Sequence, residues 1–166
     1  MNDKNSLTDP LTGLSSQWHF DVIFDFVFEL GDRGVPMTLV LLEIDGLATH
    51  VAERGANAKE AVLGGFGRIL AEGSRKMDLS ARHGDERFMC LLLACNVQGG
   101  MVFADRLRAE AAEFTASTGL TLSAGVAAYT GEMKERADLE TAVGRCLEAA
   151  KLAGGDRVGI PQDVTD

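Results

Sequence analysis

Apolar residues along the chain alternate between helical spacing and short unbroken runs. Ser15 or Ser16 is placed to cap a helix running to about Leu30. That segment carries Trp18, Phe20, Phe24, Phe26 and Phe28, so it is apolar on more than one face. Burial against a sheet is the expectation, with a partner surface as the alternative. Gly31 to Pro36 breaks the pattern, and Met37 to Ile44 reads as a buried strand. A short helix and a loop fill Asp45 to Asn57. Ala58 to Ser74 repeats Val62, Leu63, Phe66, Ile69 and Leu70 at helical spacing. Leu79 to His83 and Phe88 to Leu93 read as two strands joined by a tight Gly-Asp turn. Met101 to Phe114 is predicted helical, Leu120 to Tyr129 a strand, and Leu139 to Ala153 a helix stopped by Gly154-Gly155. Arg157 to Ile160 offers a last strand. Strands and helices mix without strict alternation, which fits an α+β domain whose antiparallel or mixed sheet carries helices on its faces.

Bulk properties narrow the picture. The 166 residues suit one domain, with flexible tails expected at 1–8 and 161–166 around a unit spanning 9–160. No apolar run reaches the roughly 18–20 residues that span a bilayer, and Met1 to Asp9 lacks a signal-peptide core, so a cytoplasmic location without membrane insertion is expected. With 16 basic and 25 acidic residues the net charge is −9, which argues against nucleic acid as a partner but leaves room for a small anion on a few local arginines. Cys90, Cys95 and Cys146 have no metal-like spacing and read as buried free thiols in a reducing compartment. His19, His50 and His83 form no ligand cluster, and Met37, Met77, Met89 and Met101 read as packing residues.

Five short motifs then occur in order. They are Asp9-Pro10-Leu11-Thr12-Gly13-Leu14, Glu43-Ile44-Asp45, Arg82-His83-Gly84-Asp85-Glu86-Arg87-Phe88, Thr121-Leu122-Ser123-Ala124-Gly125 and Ala150-Lys151-Leu152-Ala153-Gly154-Gly155. Together they resemble the GGDEF domain family of diguanylate cyclases over nearly the whole chain. The resemblance implies a nucleotidyl-cyclase-like fold, with a mostly antiparallel sheet of about five strands flanked by helices. It also implies a reaction in which two GTP molecules, one per domain, are joined into cyclic di-GMP. That chemistry needs carboxylates to hold Mg²⁺ against a triphosphate, and a glycine-lined hairpin that lets backbone approach the nucleotide.

By this resemblance Glu43, Ile44 and Glu86 would form the Mg²⁺ site, with Glu60, Lys151 and Arg82 as remnants of the GTP site. Other positions depart from the family pattern. Asp85 replaces the second hairpin glycine and puts a carboxylate where a polyanion should pass. Arg87 replaces a glutamate beside the metal ligand. Val51 replaces a guanine-reading asparagine and can neither donate nor accept a hydrogen bond. Ala48 and Gly155 replace phosphate-binding lysine and arginine. A one-residue slip of the hairpin is the alternative; it would make Asp85 the metal carboxylate and Arg87 a bulge.

A second site keeps its residues. Arg75-Lys76-Met77-Asp78 stands where family members with product inhibition carry R-x-x-D, and Arg106 resembles the additional arginine there. Arginine grips the N7/O6 edge of guanine or a phosphate in fork geometry. The expectation is therefore a degenerate GGDEF domain without catalytic residues of its own, acting as a cyclic di-GMP receptor or regulatory module through Arg75, Asp78 and Arg106. Its partners would be cyclic di-GMP and a second copy or another protein domain. An active cyclase with an unusual hairpin and a purely structural dimerisation module are the competing readings.

Overall fold

The computed structural model describes residues 6–163. Five strands, β1 (Met37–Asp45), β2 (Leu79–His83), β3 (Arg87–Leu93), β4 (Thr121–Ala128) and β5 (Val158–Gly159), form one sheet in the order β2-β3-β1-β4-β5. All neighbours are antiparallel except β4 and β5. Helices α1 (Gln17–Phe28), α2 (Leu47–Arg54), α3 (Ala56–Gly73), α4 (Val97–Phe114) and α5 (Arg136–Leu152) cover it, giving the expected α+β architecture.

The strand period of two decides which helix lies where. Val40, Leu42, Phe88, Cys90 and Ala124 face one way and pack with Leu63, Phe66 and Leu70 of α3 and Phe103 and Leu107 of α4. Leu39, Leu41, Met89, Leu91 and Ala127 face the other and pack with Phe20 and Phe24 of α1 and Val143 and Leu147 of α5. Phe66 and Phe88 are fully buried and stacked with centroids 6.3 Å apart. Arg136 pins α5 to α1 by pairing with Asp21 at 2.8 Å and Asp25 at 2.9 Å.

Local chemistry sets the element ends. The Ser16 hydroxyl accepts from the His19 amide and caps α1. Asp9 accepts from the Thr12 amide and hydroxyl, and Arg82 of β2 lies 3.6 Å from its other oxygen, so the opening turn is tied to the sheet. Helix α4 starts at Val97, earlier than its apolar spacing predicts, because Asn96 caps it by accepting from the Gly99 amide. Glycines disfavour a helix interior by about 1 kcal/mol each, so Gly99-Gly100 hid that first turn from the sequence pattern. A capping box between Glu135 and Asp138 likewise starts α5 at Arg136.

Some expectations change. Trp18 and Phe26 of α1 are 44% and 72% exposed, because only the Phe20–Phe24–Phe28 side of that helix meets the sheet. Met77 sits in an exposed turn, 51% exposed and outside both core clusters. Of the expected N-terminal tail, residues 1–5 lie outside the described residues, while the Ser6 carbonyl accepts from the Ser16 hydroxyl and the Leu7 carbonyl from the Ser16 amide. Of the expected C-terminal tail, 161–163 form a 3₁₀ turn and 164–166 lie outside the described residues. No helix among the described residues is long and apolar enough to cross a membrane.

Candidate functional site

The hairpin between β2 and β3 closes at the His83–Arg87 pair, leaving Gly84, Asp85 and Glu86 as its loop. Gly84 has φ +74°, a left-handed conformation that favours glycine. The pairing of β1 with β3 runs without interruption from Met37–Leu93 to Glu43–Arg87. Arg87 is therefore a regular strand residue, not a bulge, and the slipped hairpin does not occur. The Asp85 side chain is 88% exposed and lies 3.8 Å from Lys59 of α3. The Glu86 carbonyl accepts from the Ile44 amide, so the loop is fastened to the end of β1.

Directly paired residues of adjacent strands project from the same face, so Arg87 lies alongside Glu43. Its Nε donates to Glu43 Oε2 at 2.5 Å. From α5, Lys151 Nζ reaches Glu43 Oε1 at 2.6 Å. Glu148, one turn earlier on α5, lies 3.7 Å from both Arg87 and Lys151. Burial alone would raise the Glu43 carboxyl, but the hydrogen bonds from Lys151 and Arg87 outweigh it and hold the group below the usual carboxylate range. The bond to Glu43 raises the Lys151 ammonium in turn.

The donor set expected for Mg²⁺ does not fit the ion as it stands, because both oxygens of Glu43 are engaged by cations. Among the described residues no three His, Cys, Asp or Glu side chains are grouped to hold a metal. Glu148 was not singled out from sequence; its i, i+3 spacing to Lys151 was the available signal. Of the other GTP-site positions, Glu60 is exposed on α3, and Val51 of α2 packs against the core. Arg82 serves the Asp9 turn. Asp45 takes hydrogen bonds from the Thr121 and Ser123 hydroxyls and the Asp156 amide, which explains the Thr and Ser of the fourth motif.

The second candidate site is assembled. Gly73, Arg75, Asp78, Cys95, Phe103 and Arg106 line a cleft of about 340 Å³ between the end of α3 and the start of α4. Arg75 and Asp78 lie in a turn after α3, because Ser74 takes an extended conformation that ends the helix. Asp78 builds that turn: its Oδ2 accepts from the Arg75 amide and its own amide donates to the Arg75 carbonyl. Its Oδ1 is buried with no hydrogen-bond partner among the described residues. Arg106 is held by donating to the Gly73 carbonyl at 2.7 Å, with its guanidinium 5.7 Å from the Phe103 ring centroid. Arg75 makes no ion pair among the described residues, and Cys95 is half-buried, unlike Cys90 and Cys146.

A family model for the diguanylate cyclase GGDEF domain matches residues 6–157, nearly the whole of this arrangement. The chain belongs to the GGDEF domain family. It is 32% identical over 163 residues to diguanylate cyclase DgcP of Pseudomonas aeruginosa, covering 95% of this chain and 24% of that protein. It is 22% identical over 165 residues to diguanylate cyclase A of Treponema denticola, covering 94% of this chain and 44% of that protein. The chain thus spans less than half the length of these curated relatives. Its fold matches the crystallised GGDEF domain of DgcB from Caulobacter crescentus, in complex with c-di-GMP, with a TM-score of 0.86 at 20% identity over 95% of this chain and 97% of that one. The FimX GGDEF domain of Pseudomonas aeruginosa matches with a TM-score of 0.82 at 23% identity, covering 92% and 98%.

Proposed function

We propose that this GGDEF domain makes no cyclic di-GMP and serves as a regulatory receptor that binds it at Arg75, Asp78 and Arg106. The observation that carries this reading is the convergence of those three side chains on one cleft, from a turn and a helix far apart in sequence. Two phosphates and two guanines give the ligand anions and planar acceptor edges for each arginine, and Asp78 an acceptor for guanine N–H groups. Catalysis is disfavoured by the engagement of Glu43 with Arg87 and Lys151, by Asp85 on the hairpin, and by Val51 and Gly155 where base and phosphate contacts would be needed.

Calorimetric titration of the wild type and Arg75→Ala with cyclic di-GMP at matched salt tests the reading. Loss of a bidentate arginine contact worth about 1–3 kcal/mol weakens binding roughly five- to hundredfold. Absence of wild-type binding at tens of micromolar ligand refutes the receptor, and equal binding by both proteins refutes the placement. The identity to DgcP favours a second reading, the cyclase domain of a longer diguanylate cyclase. Cyclic di-GMP formed from GTP and Mg²⁺, and lost in Glu86→Ala, would establish that reading instead.

A further inference from the structure

We propose that Arg87 is the resident cation of the hairpin site: with Lys151 it occupies Glu43 in place of a divalent ion, and the site is closed to Mg²⁺ and Mn²⁺. The placement is dictated by register. Glu43 and Arg87 are paired residues on adjacent antiparallel strands, so their side chains are neighbours on one face whatever their rotamers. Lys151 approaches from α5, which lies over that same face. The two cations take one carboxylate oxygen each, at 2.5 and 2.6 Å. Glu148 lies 3.7 Å from both of them. Two carboxylates and two cations leave the group formally neutral.

A divalent ion fits this arrangement poorly. Mg²⁺ requires oxygen ligands at about 2.0–2.1 Å in near-octahedral array. Reaching Glu43 means expelling a guanidinium or ammonium already within hydrogen-bond distance. The displaced cation would then stand beside a doubly charged ion, in a position where the Glu43 side chain is only 8% exposed and solvent screens weakly. Glu86 supplies one further carboxylate from the loop, and only a freed Glu43 would bring a second to the one or two by which Mg²⁺ is ordinarily held.

This inference concerns the unliganded domain and is independent of cyclic di-GMP binding at the Arg75 cleft, so either can fail alone. The test titrates Mn²⁺ into the purified chain, reading free Mn²⁺ by electron paramagnetic resonance and folding by thermal melts. The wild type is expected to leave the Mn²⁺ spectrum and the melting temperature unchanged. Arg87→Glu, a two-unit charge change at contact distance, is expected to bind Mn²⁺ at least about a hundredfold more tightly than wild type. Its melting temperature should rise with added metal, because a ligand of the native state stabilises it by mass action. Arg87→Gln removes the charge without adding a carboxylate; it should bind more weakly than Arg87→Glu but above wild type, and it serves if the charge reversal prevents folding. Mn²⁺ uptake by the wild type that Glu43→Gln abolishes overturns the proposal. So does a folded Arg87→Glu or Arg87→Gln protein that takes up no Mn²⁺.

Discussion

Gly125, the glycine that closes the fourth motif, lies where α5 crosses β4. A Cβ added there would meet Val143 O at 2.3 Å, Leu147 N at 2.5 Å and Leu147 Cα at 3.0 Å. Favourable carbon contacts begin near 3.5 Å, so Gly125→Ala requires α5 to retreat by about 1 Å. No side-chain rotation relieves the clash, because all three obstructing atoms are backbone. Retreat loosens Leu139, Val143, Cys146 and Leu147, which are at most 1% exposed. Overpacking of this kind costs about 1–3 kcal/mol, and backbone obstruction puts this case at or above the upper end. For a domain of this size about 3 kcal/mol lowers the melting temperature by roughly 6–12 °C. Since α5 carries Lys151 and Glu148, the same movement stretches the Lys151–Glu43 pair. Denaturant and thermal unfolding of Gly125→Ala measure the loss. Gly144→Ala is the control, because that position on the same helix has nothing within 4 Å; it should be neutral or stabilising by up to about 1 kcal/mol. A Gly125→Ala protein within about 0.5 kcal/mol of wild type, the range of ordinary surface substitutions, would refute the argument that this glycine sets the distance of α5 from the sheet.

The Glu43 pairing makes stability depend on pH at both ends. The lowered Glu43 carboxyl contributes stability that is present above its ordinary value of 4.5 and lost as pH falls through the folded-state value. The raised Lys151 ammonium contributes below its ordinary value of 10.5, and that part is lost as pH rises through the folded-state value. Glu43→Gln should flatten the acid limb of the stability curve and destabilise by roughly 1–3 kcal/mol at neutral pH, less than a fully buried pair because Arg87 is 39% exposed; an unchanged acid limb refutes the assignment. Cys95 lines the Arg75 cleft while Cys90 is fully buried, its thiol pushed up to about 12 by burial. Iodoacetamide should therefore modify Cys95 selectively, and saturating cyclic di-GMP should slow that reaction severalfold, as mass spectrometry would read; unchanged labelling by a bound complex places the ligand elsewhere.

Some of this was legible in the chain. Motif order and hydrophobic period gave the sheet, the five helices and the hairpin, because each of those signals is local. Arg75, Asp78 and Arg106 could be nominated together by their resemblance to the family's second site. The apolar spacing ended this helix at Ser74, but nothing local announced that Asp78 would fold back on the Arg75 amide. The pairing of Arg87 with Glu43 was not legible as an ion pair. Read against the family pattern, Arg87 was a reversed charge beside a metal ligand; only the cross-strand register, a nonlocal property, turns it into a partner. Glu148 was missed for the same reason, since its spacing to Lys151 does not reveal that both look toward β1. The exposure of Phe26 was hidden by an aromatic-rich helix whose composition says nothing about which side has no neighbour.

The chain contains one tryptophan, Trp18, and it stands 44% exposed on α1. Helix α1 covers the face of the sheet opposite α4, the helix that walls the Arg75 cleft. Tryptophan emission from this domain, separated from that of Tyr129 by selective excitation, is therefore a probe of the α1 surface alone. A ligand seated in the cleft of a single domain should leave the spectrum silent, and a blue shift on adding ligand would signal that the Trp18–Val22–Phe26 stripe has been covered by another macromolecular surface.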